Sequence, residues 1–93
     1  MEYLLDYGFN EEDLEYLKEL YNENVIEDLM DFKDEVISNI KLMASYGILN
    51  INLVICENPL IAMLSDGELR ELLNGYDKNE LVNKLLDDPY IEF

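Results

Sequence analysis

Apolar residues recur at intervals of three and four along most of this chain, and strict alternation of apolar and polar residues is almost absent. Such spacing lines up apolar side chains on one face of a helix, whereas a half-buried strand needs a period of two. The longest stripe runs through Val25, Leu29, Phe32, Val36 and Ile40. With 93 residues, 49% of them apolar, the sequence predicts an all-α fold in a single small domain with one core.

Polar residues that cap helix N-termini mark the predicted helix starts. Four pairs fit a capping box, the last more loosely: Asn24 with Glu27, Ser65 with Glu68, Asp77 with Glu80, and Asn10 with Asp13. Pro59 and Pro89 each follow a cap residue, and Gly47 and Gly75 suit the left-handed conformation that ends a helix. These signals predict helices over 11–21, 25–46, 51–56, 59–64, 66–74 and 78–87, a last turn at 89–92 and a short turn at 2–6.

Three glycines, Gly8, Gly47 and Gly75, indicate an internal repeat. Each is followed six residues later by a leucine, and further on by an apolar residue and an isoleucine: Leu14, Leu53 and Leu81, then Ile26, Ile61 and Ile91. The isoleucines are 35 and 30 residues apart, a period typical of helical solenoids. The pattern predicts about two and a half units over 4–47, 48–75 and 76–93. Chance leucines in a leucine-rich chain can also produce part of this alignment.

In the middle unit, Gly47 is followed by Leu53, the corner Asn58-Pro59-Leu60-Ile61 and the next glycine, Gly75. This order resembles the mitochondrial transcription termination factor repeat. The resemblance implies a curved helical solenoid that binds nucleic acid through a basic concave surface. The chain departs from the family in charge, because its six basic residues are spread singly: Lys18, Lys33, Lys41, Arg70, Lys78 and Lys84. We therefore expect the architecture to carry over and transfer no nucleic-acid-binding residue.

Charge is the second strong feature of the sequence, with 22 acidic residues against 6 basic ones and a net charge of −16. Carboxylates repel phosphates and anionic headgroups, so we expect neither direct nucleic-acid binding nor binding to a membrane surface. Residues 10–35 are the most acidic, with eleven acids and two lysines. The candidate partner-binding face comprises Glu12, Glu15, Tyr16 and Glu19, followed by Glu27, Asp31, Asp34 and Glu35. The alternative interpretation is a solvated face near helix N-termini.

The residues needed for catalysis are largely missing. The chain has no histidine, its serines occur only at 38, 45 and 65, and its four glycines are isolated. Cys56 has no cationic neighbour to stabilise a thiolate, which predicts a buried apolar role. The acids do not follow the spacing of a calcium-binding EF-hand loop. The sequence therefore predicts no enzymatic activity, no cofactor and no specific metal site.

A cytoplasmic location is expected on three grounds. The single cysteine suits a reducing compartment, the chain opens on acidic rather than basic residues, and the longest uncharged run, 42–56, is too short to span a bilayer.

The predicted function is a non-catalytic acidic helical protein-interaction module that engages a basic partner surface. One alternative is a nucleic-acid mimic that inhibits a DNA- or RNA-binding protein, as some phage proteins do. A globule of this length is about 32 Å across, and duplex DNA over that distance carries about 19 phosphates. A mimic would therefore need most of the carboxylates on one or two faces. The other alternative is direct nucleic-acid binding, as the termination factor resemblance implies. The oligomeric state is left open.

Overall fold

Short helices account for most of the chain in a computed structural model that describes residues 1–93. The α-helices are α1 (Glu11–Leu20), α2 (Glu23–Asp31), α3 (Lys33–Ser45), α4 (Ile51–Glu57), α5 (Asp66–Asn74) and α6 (Lys78–Asp87). Two 3₁₀ helices, Glu2–Tyr7 and Pro59–Met63, precede α1 and link α4 to α5. No strand is present, and the predicted all-α fold is confirmed. No helix has both the length and the apolar character needed to cross a membrane.

The second 3₁₀ helix, Pro59–Met63, lies at the centre of the packing. It contacts α2, α3 and α4, while α1 packs on α4 and α5 packs on α3. Twenty buried apolar residues form one continuous core. The radius of gyration, 12.4 Å, matches the value of about 12 Å expected for a compact domain of this length.

Asparagine side chains connect elements that are distant in sequence. Asn39 on α3 is almost fully buried, and its amide donates to the Ala62 and Leu64 carbonyls at 2.8 and 2.7 Å. The Asn50 amide donates to the Leu85 carbonyl at 2.7 Å, joining the start of α4 to α6. These bonds satisfy carbonyls near helix ends that have no partner inside their own helix.

The predicted helix over 25–46 is wrong, because the chain bends at Phe32 and forms two helices. Phe32 has φ −97° and ψ 35°, and 47% of its side chain is exposed although it belongs to the predicted buried stripe. A straight helix of that length would be about 33 Å long, close to the 34 Å length of the whole molecule. The bend instead allows both α2 and α3 to pack on the second 3₁₀ helix.

The predicted helix starts are mostly confirmed. The Asn10–Asp13 and Ser65–Glu68 pairs both form complete capping boxes. The Asp77 carboxylate caps α6, but Glu80 does not return the bond. The predicted cap at Asn24 is wrong: Asn22 caps α2 instead, its side chain accepting from the Val25 N–H at 3.1 Å. The favourable cap lies two residues earlier, inside a run that contains both asparagines.

The predicted helix ends are correct at one glycine and wrong at the other. Gly47 has φ +86°, the left-handed conformation expected there, whereas Gly75 has φ −70° and stays right-handed. The predicted turn at 89–92 is absent, because this segment is non-helical and leads Ile91 into the core. The Asn58 amide donates to the Ile91 carbonyl at 3.3 Å and holds the segment in place.

Positions that the repeat alignment treats as equivalent have different environments. Leu14 and Leu81 are buried, whereas 45% of the Leu53 side chain is exposed. Among the three glycines, Gly8 and Gly47 have positive φ and Gly75 does not. The division into two and a half units stays a prediction.

Candidate functional site

All eight residues of the predicted acidic face are exposed, but they do not line one continuous groove. Glu12 and Tyr16 line a groove between α1 and α4. Glu27 lines a second groove, between α1 and α2. Asp34 and Glu35 line a third, between α3 and the start of α5. The other three, Glu15, Glu19 and Asp31, lie on helix surfaces outside these grooves.

The groove between α1 and α4, with a volume of about 270 Å³, contains the aromatic residue of the predicted face. Asp13 fixes its geometry, because one carboxylate oxygen accepts from both the Asn10 N–H and the Asn52 amide at 3.0 Å. The capping carboxylate of α1 thus also ties α1 to α4. We call the group Glu12, Tyr16, Leu53 and Glu57, which lines the groove around this tie, the α1–α4 site.

Tyr16 and Leu53 form the apolar part of the α1–α4 site, with 39% and 45% of their side chains exposed. The Tyr16 hydroxyl donates to Glu57 Oε1 at 3.3 Å. Partial desolvation, followed by the neighbouring Glu57 carboxylate, raises the pKa of Tyr16. An aromatic ring held between carboxylates is suited to packing against a partner side chain that carries a positive charge nearby.

Tyr21, just after α1, holds the end of α4 from the other side. Its hydroxyl lies 2.8 Å from the Cys56 carbonyl and 3.0 Å from the Glu57 carbonyl, the last carbonyls of α4. Burial, followed by the nearby Tyr16 and Glu57, raises the pKa of Tyr21. Because this bond requires the protonated hydroxyl, the raised pKa extends the contact between Tyr21 and the end of α4 to higher pH.

Cys56 forms the floor of the α1–α4 site and is almost fully buried. Burial raises the pKa of its thiol to about 12, with smaller contributions from Asp13 and Glu57. The thiol is therefore protonated at neutral pH and is a poor nucleophile. Its burial confirms the apolar role predicted for this residue.

Most basic side chains contact another side chain of the same molecule, whereas most acidic side chains form no ion pair. Arg70 pairs with Asp66 at 2.8 Å, and this is the one ion pair present. Three lysine ammonium groups lie over tyrosine rings: Lys33 over Tyr3 at 5.5 Å, Lys78 over Tyr46 at 4.9 Å and Lys84 over Tyr76 at 5.9 Å. Four of the six basic residues are thus engaged internally, whereas 21 of the 22 acids have no ion-pair partner.

Metal-binding geometry is not found on this surface. No group of three or more cysteine, aspartate or glutamate side chains is arranged so that it could hold a metal ion.

Sequence reasoning missed Leu53 and Glu57. Leu53 enters the predicted repeat only as the leucine six residues after Gly47, and its exposure depends on how α4 packs against α1. Glu57 did carry a signal, because it is the single charged residue of α4. A lone acid that ends an otherwise uncharged helix marks the point where that helix reaches solvent.

Comparisons with known proteins give no relative from which a function could be inferred: no protein-family model, curated protein or solved structure matches this chain.

Proposed function

We propose that this chain is a non-catalytic protein-interaction module whose acidic surface engages a basic surface of a partner protein. One observation carries the proposal. Four of the six basic side chains contact a tyrosine ring or a carboxylate of the same chain, whereas nearly all carboxylates lack an ion-pair partner. Stability does not require this arrangement, since unpaired like charges repel one another in the folded state. A basic partner would turn that repulsion into attraction and speed association.

The α1–α4 site is the proposed centre of this interaction. Interfaces combine apolar or aromatic anchors at the centre with charged residues at the rim. Tyr16 and Leu53 supply exposed anchors, and Glu12 and Glu57 supply the charged rim on either side. The proposed location is the cytoplasm, a reducing compartment that suits the unpaired thiol of Cys56.

The proposal is tested by neutralising the α1 part of the acidic face. The tagged triple variant Glu12→Gln, Glu15→Gln and Glu19→Gln should retain its helicity and capture at least fivefold less partner from host extract, quantified by mass spectrometry. The matched control is Glu71→Gln, Asp87→Asn and Glu92→Gln, three exposed acids elsewhere on the surface. Both triples change the net charge from −16 to −13. Equal capture by both variants would refute a specific acidic face.

The second candidate function is nucleic-acid mimicry, which the same unpaired carboxylates favour. The molecule is 34 Å long, and duplex DNA over that length carries about 20 phosphates, close to the 22 acids of the chain. Mimicry differs from ordinary adaptor binding in one measurable respect. Duplex DNA or RNA must displace a mimic from its captured partner, whereas an adaptor bound elsewhere on the partner is retained.

Direct nucleic-acid binding, the function implied by the termination factor resemblance, has less support. Only Lys18 and Lys41 are not engaged with a tyrosine ring or a carboxylate, and phosphate recognition needs several clustered cations. A gel-retardation assay at low salt tests this alternative. Retardation of duplex DNA or RNA by the purified chain would favour it over the acidic module.

A further inference from the structure

Two parallel rows of side chains run along the outer side of α2. Glu23, Glu27 and Asp31 follow one another at intervals of four residues and form an exposed acidic row. Ile26 and Met30 have the same spacing and form an apolar row beside it. Residues four apart on a helix are neighbours, about 5–6 Å from one another, so each row is continuous.

The apolar row forms one wall of the groove between α1 and α2, which has a volume of about 460 Å³. Tyr21 completes the apolar lining, and its position is fixed because its hydroxyl is bonded to the end of α4. Met30 leaves 46% of its side chain exposed. Methionine is flexible and polarisable, and it is common on surfaces that pack against partner helices.

Charge distinguishes the two sides of this groove. Glu23 and Glu27 line it on the α2 side, and no residue of the acidic row has an ion-pair partner. Lys18 lines the opposite side and lies farther than 4.0 Å from every carboxylate. Among the residues that line the groove, the carboxylates on α2 would therefore attract a bound cation and Lys18 would repel it.

We propose that this groove binds a basic amphipathic helix of a partner protein. Apolar residues four apart on that helix pack on Tyr21, Ile26 and Met30. Lysines or arginines four apart face Glu23 and Glu27 in the groove, and Asp31 where the acidic row continues just outside it. The proposal rests on the proposed function and assigns the same partner a second contact, in a groove separate from the α1–α4 site.

A helix suits this site because it can present an apolar row and a charged row side by side on one face. A β-strand directs alternate side chains to opposite faces. It therefore cannot present an apolar row and a charged row side by side on one face. The acidic row excludes an anionic membrane as the occupant, because its headgroups would be repelled. Charge complementarity beside an apolar lining therefore favours a basic helical segment of a protein.

Binding is tested with a fluorescent synthetic peptide of about 18 residues, five helical turns, made of leucine, lysine and alanine. Its leucines form one row at intervals of four and its lysines form the adjacent row. A scrambled peptide with the same composition has no such rows. We expect fluorescence anisotropy to give a Kd at least tenfold lower for the patterned peptide, with amide NMR shifts concentrated in α2 and around Tyr21. Equal affinity for both peptides, or no binding of either, would overturn the proposal.

Variants locate the binding surface. The double variant Glu27→Gln and Met30→Ser should weaken binding of the patterned peptide about tenfold. The control Glu71→Gln and Leu86→Ser alters an exposed acid and an exposed apolar residue outside the groove and should change the Kd less than twofold. A third variant, Lys18→Gln, removes the opposing cation and should strengthen binding. Equal weakening by the two double variants, or weaker binding after Lys18→Gln, would exclude this groove.

Failure of this inference and failure of the proposed function can be told apart. The triple variant that tests the proposed function changes Glu12, Glu15 and Glu19, none of which lines this groove. If the captured partner is lost by that variant but retained by Glu27→Gln with Met30→Ser, the acidic module stands and the groove is not its binding site. Loss of the captured partner with both variants supports the proposed function and the groove as a binding site for that partner.

Discussion

The buried amide of Asn39 shows how one polar side chain can fix the position of a helix. It donates to two carbonyls, Ala62 and Leu64, at the end of the second 3₁₀ helix. A buried carbonyl without a partner costs about 1–3 kcal/mol, so this residue determines how α3 sits on the central element. Neither bond could be inferred from spacing, because the two partners lie 23 and 25 residues away.

We predict that Asn39→Ala lowers the free energy of unfolding by about 3 kcal/mol, because both carbonyls lose their donor. Asn39→Asp should cost at least as much, since a carboxylate cannot donate and its charge would be buried. The control is Asn83→Ala on the exposed side of α6, which should leave stability within about 0.5 kcal/mol. Urea denaturation followed by circular dichroism measures all three. A loss below 1 kcal/mol for Asn39→Ala would contradict the assigned bonds.

The thiol of Cys56 predicts a loss of stability at high pH. Its pKa is about 12 in the folded protein and 9.0 as its ordinary value. The folded state therefore holds the proton more tightly, so this contribution is complete below pH 9 and is lost progressively between pH 9 and 12. By pH 10.5 the loss attributable to Cys56 should reach up to about 2 kcal/mol.

The variant Cys56→Ala isolates this effect. It should be less stable than the original chain at pH 7 because it leaves a small cavity, and the difference between the two should shrink as the pH rises to 10.5. Chemical denaturation at pH 7, 9 and 10.5 measures the difference directly. Repulsion among the carboxylates affects both proteins equally and cancels. A difference that stays constant with pH would show that the thiol titrates normally.

At the scale of the helices, backbone conformation distinguishes the roles of Gly47 and Gly67. Gly47 has φ +86°, where a side chain is strained, and an added Cβ would also contact Val82 at 3.7 Å. Gly67 lies within α5, and an added Cβ would meet nothing within 4 Å. The first glycine is required by the turn after α3, whereas the second only weakens its helix.

We therefore expect opposite effects from the same substitution. Gly47→Ala should lower the free energy of unfolding by about 1–2 kcal/mol, while Gly67→Ala should raise it by about 0.5–1 kcal/mol. Thermal melts of the two variants against the unmodified chain provide the measurement. Effects of the same sign would contradict the conformations assigned to these residues.

Helix starts were predictable from sequence because capping is local. Asn10 with Asp13 and Ser65 with Glu68 form their bonds within four residues, so the required atoms are adjacent in the chain. The bend at Phe32 was not predictable in this way. It depends on the packing of α2 and α3 against a 3₁₀ helix about 30 residues later, and local periodicity continues through it unchanged.

The candidate site was predictable only in part for the same reason. Exposure of the acidic residues follows from their chemistry, and all eight residues of the predicted face are exposed. The placement of five of them in three separate grooves depends on tertiary packing, as does the pairing of Tyr16 with Glu57, which lies 41 residues away. The type of a residue thus predicts whether its side chain is exposed, and tertiary packing determines which exposed side chains come into contact.

At the scale of the whole molecule, the net charge of −16 opposes folding, because the one ion pair, Arg70 with Asp66, offsets little of it. The lysines packed on tyrosine rings place positive charge at the surface without neutralising a neighbouring carboxylate. A molecule with this charge distribution should gain stability from any mobile cation or any basic partner. The common cause is relief of repulsion among unpaired acids.

Added salt tests this conclusion without a partner. Raising NaCl from 0.01 to 0.5 M shortens the screening length from about 30 Å to below 10 Å, less than the smallest dimension of the molecule, 23 Å. We expect Tm to rise by roughly 5–10 °C, equivalent to about 1–2 kcal/mol for a domain of this size. The variant Glu12→Gln, Glu15→Gln and Glu19→Gln should melt higher at 0.01 M NaCl and respond less to added salt, because it carries less repulsion. Differential scanning calorimetry gives both values, and a Tm that is constant or falls with NaCl would show that the unpaired carboxylates do not destabilise the fold.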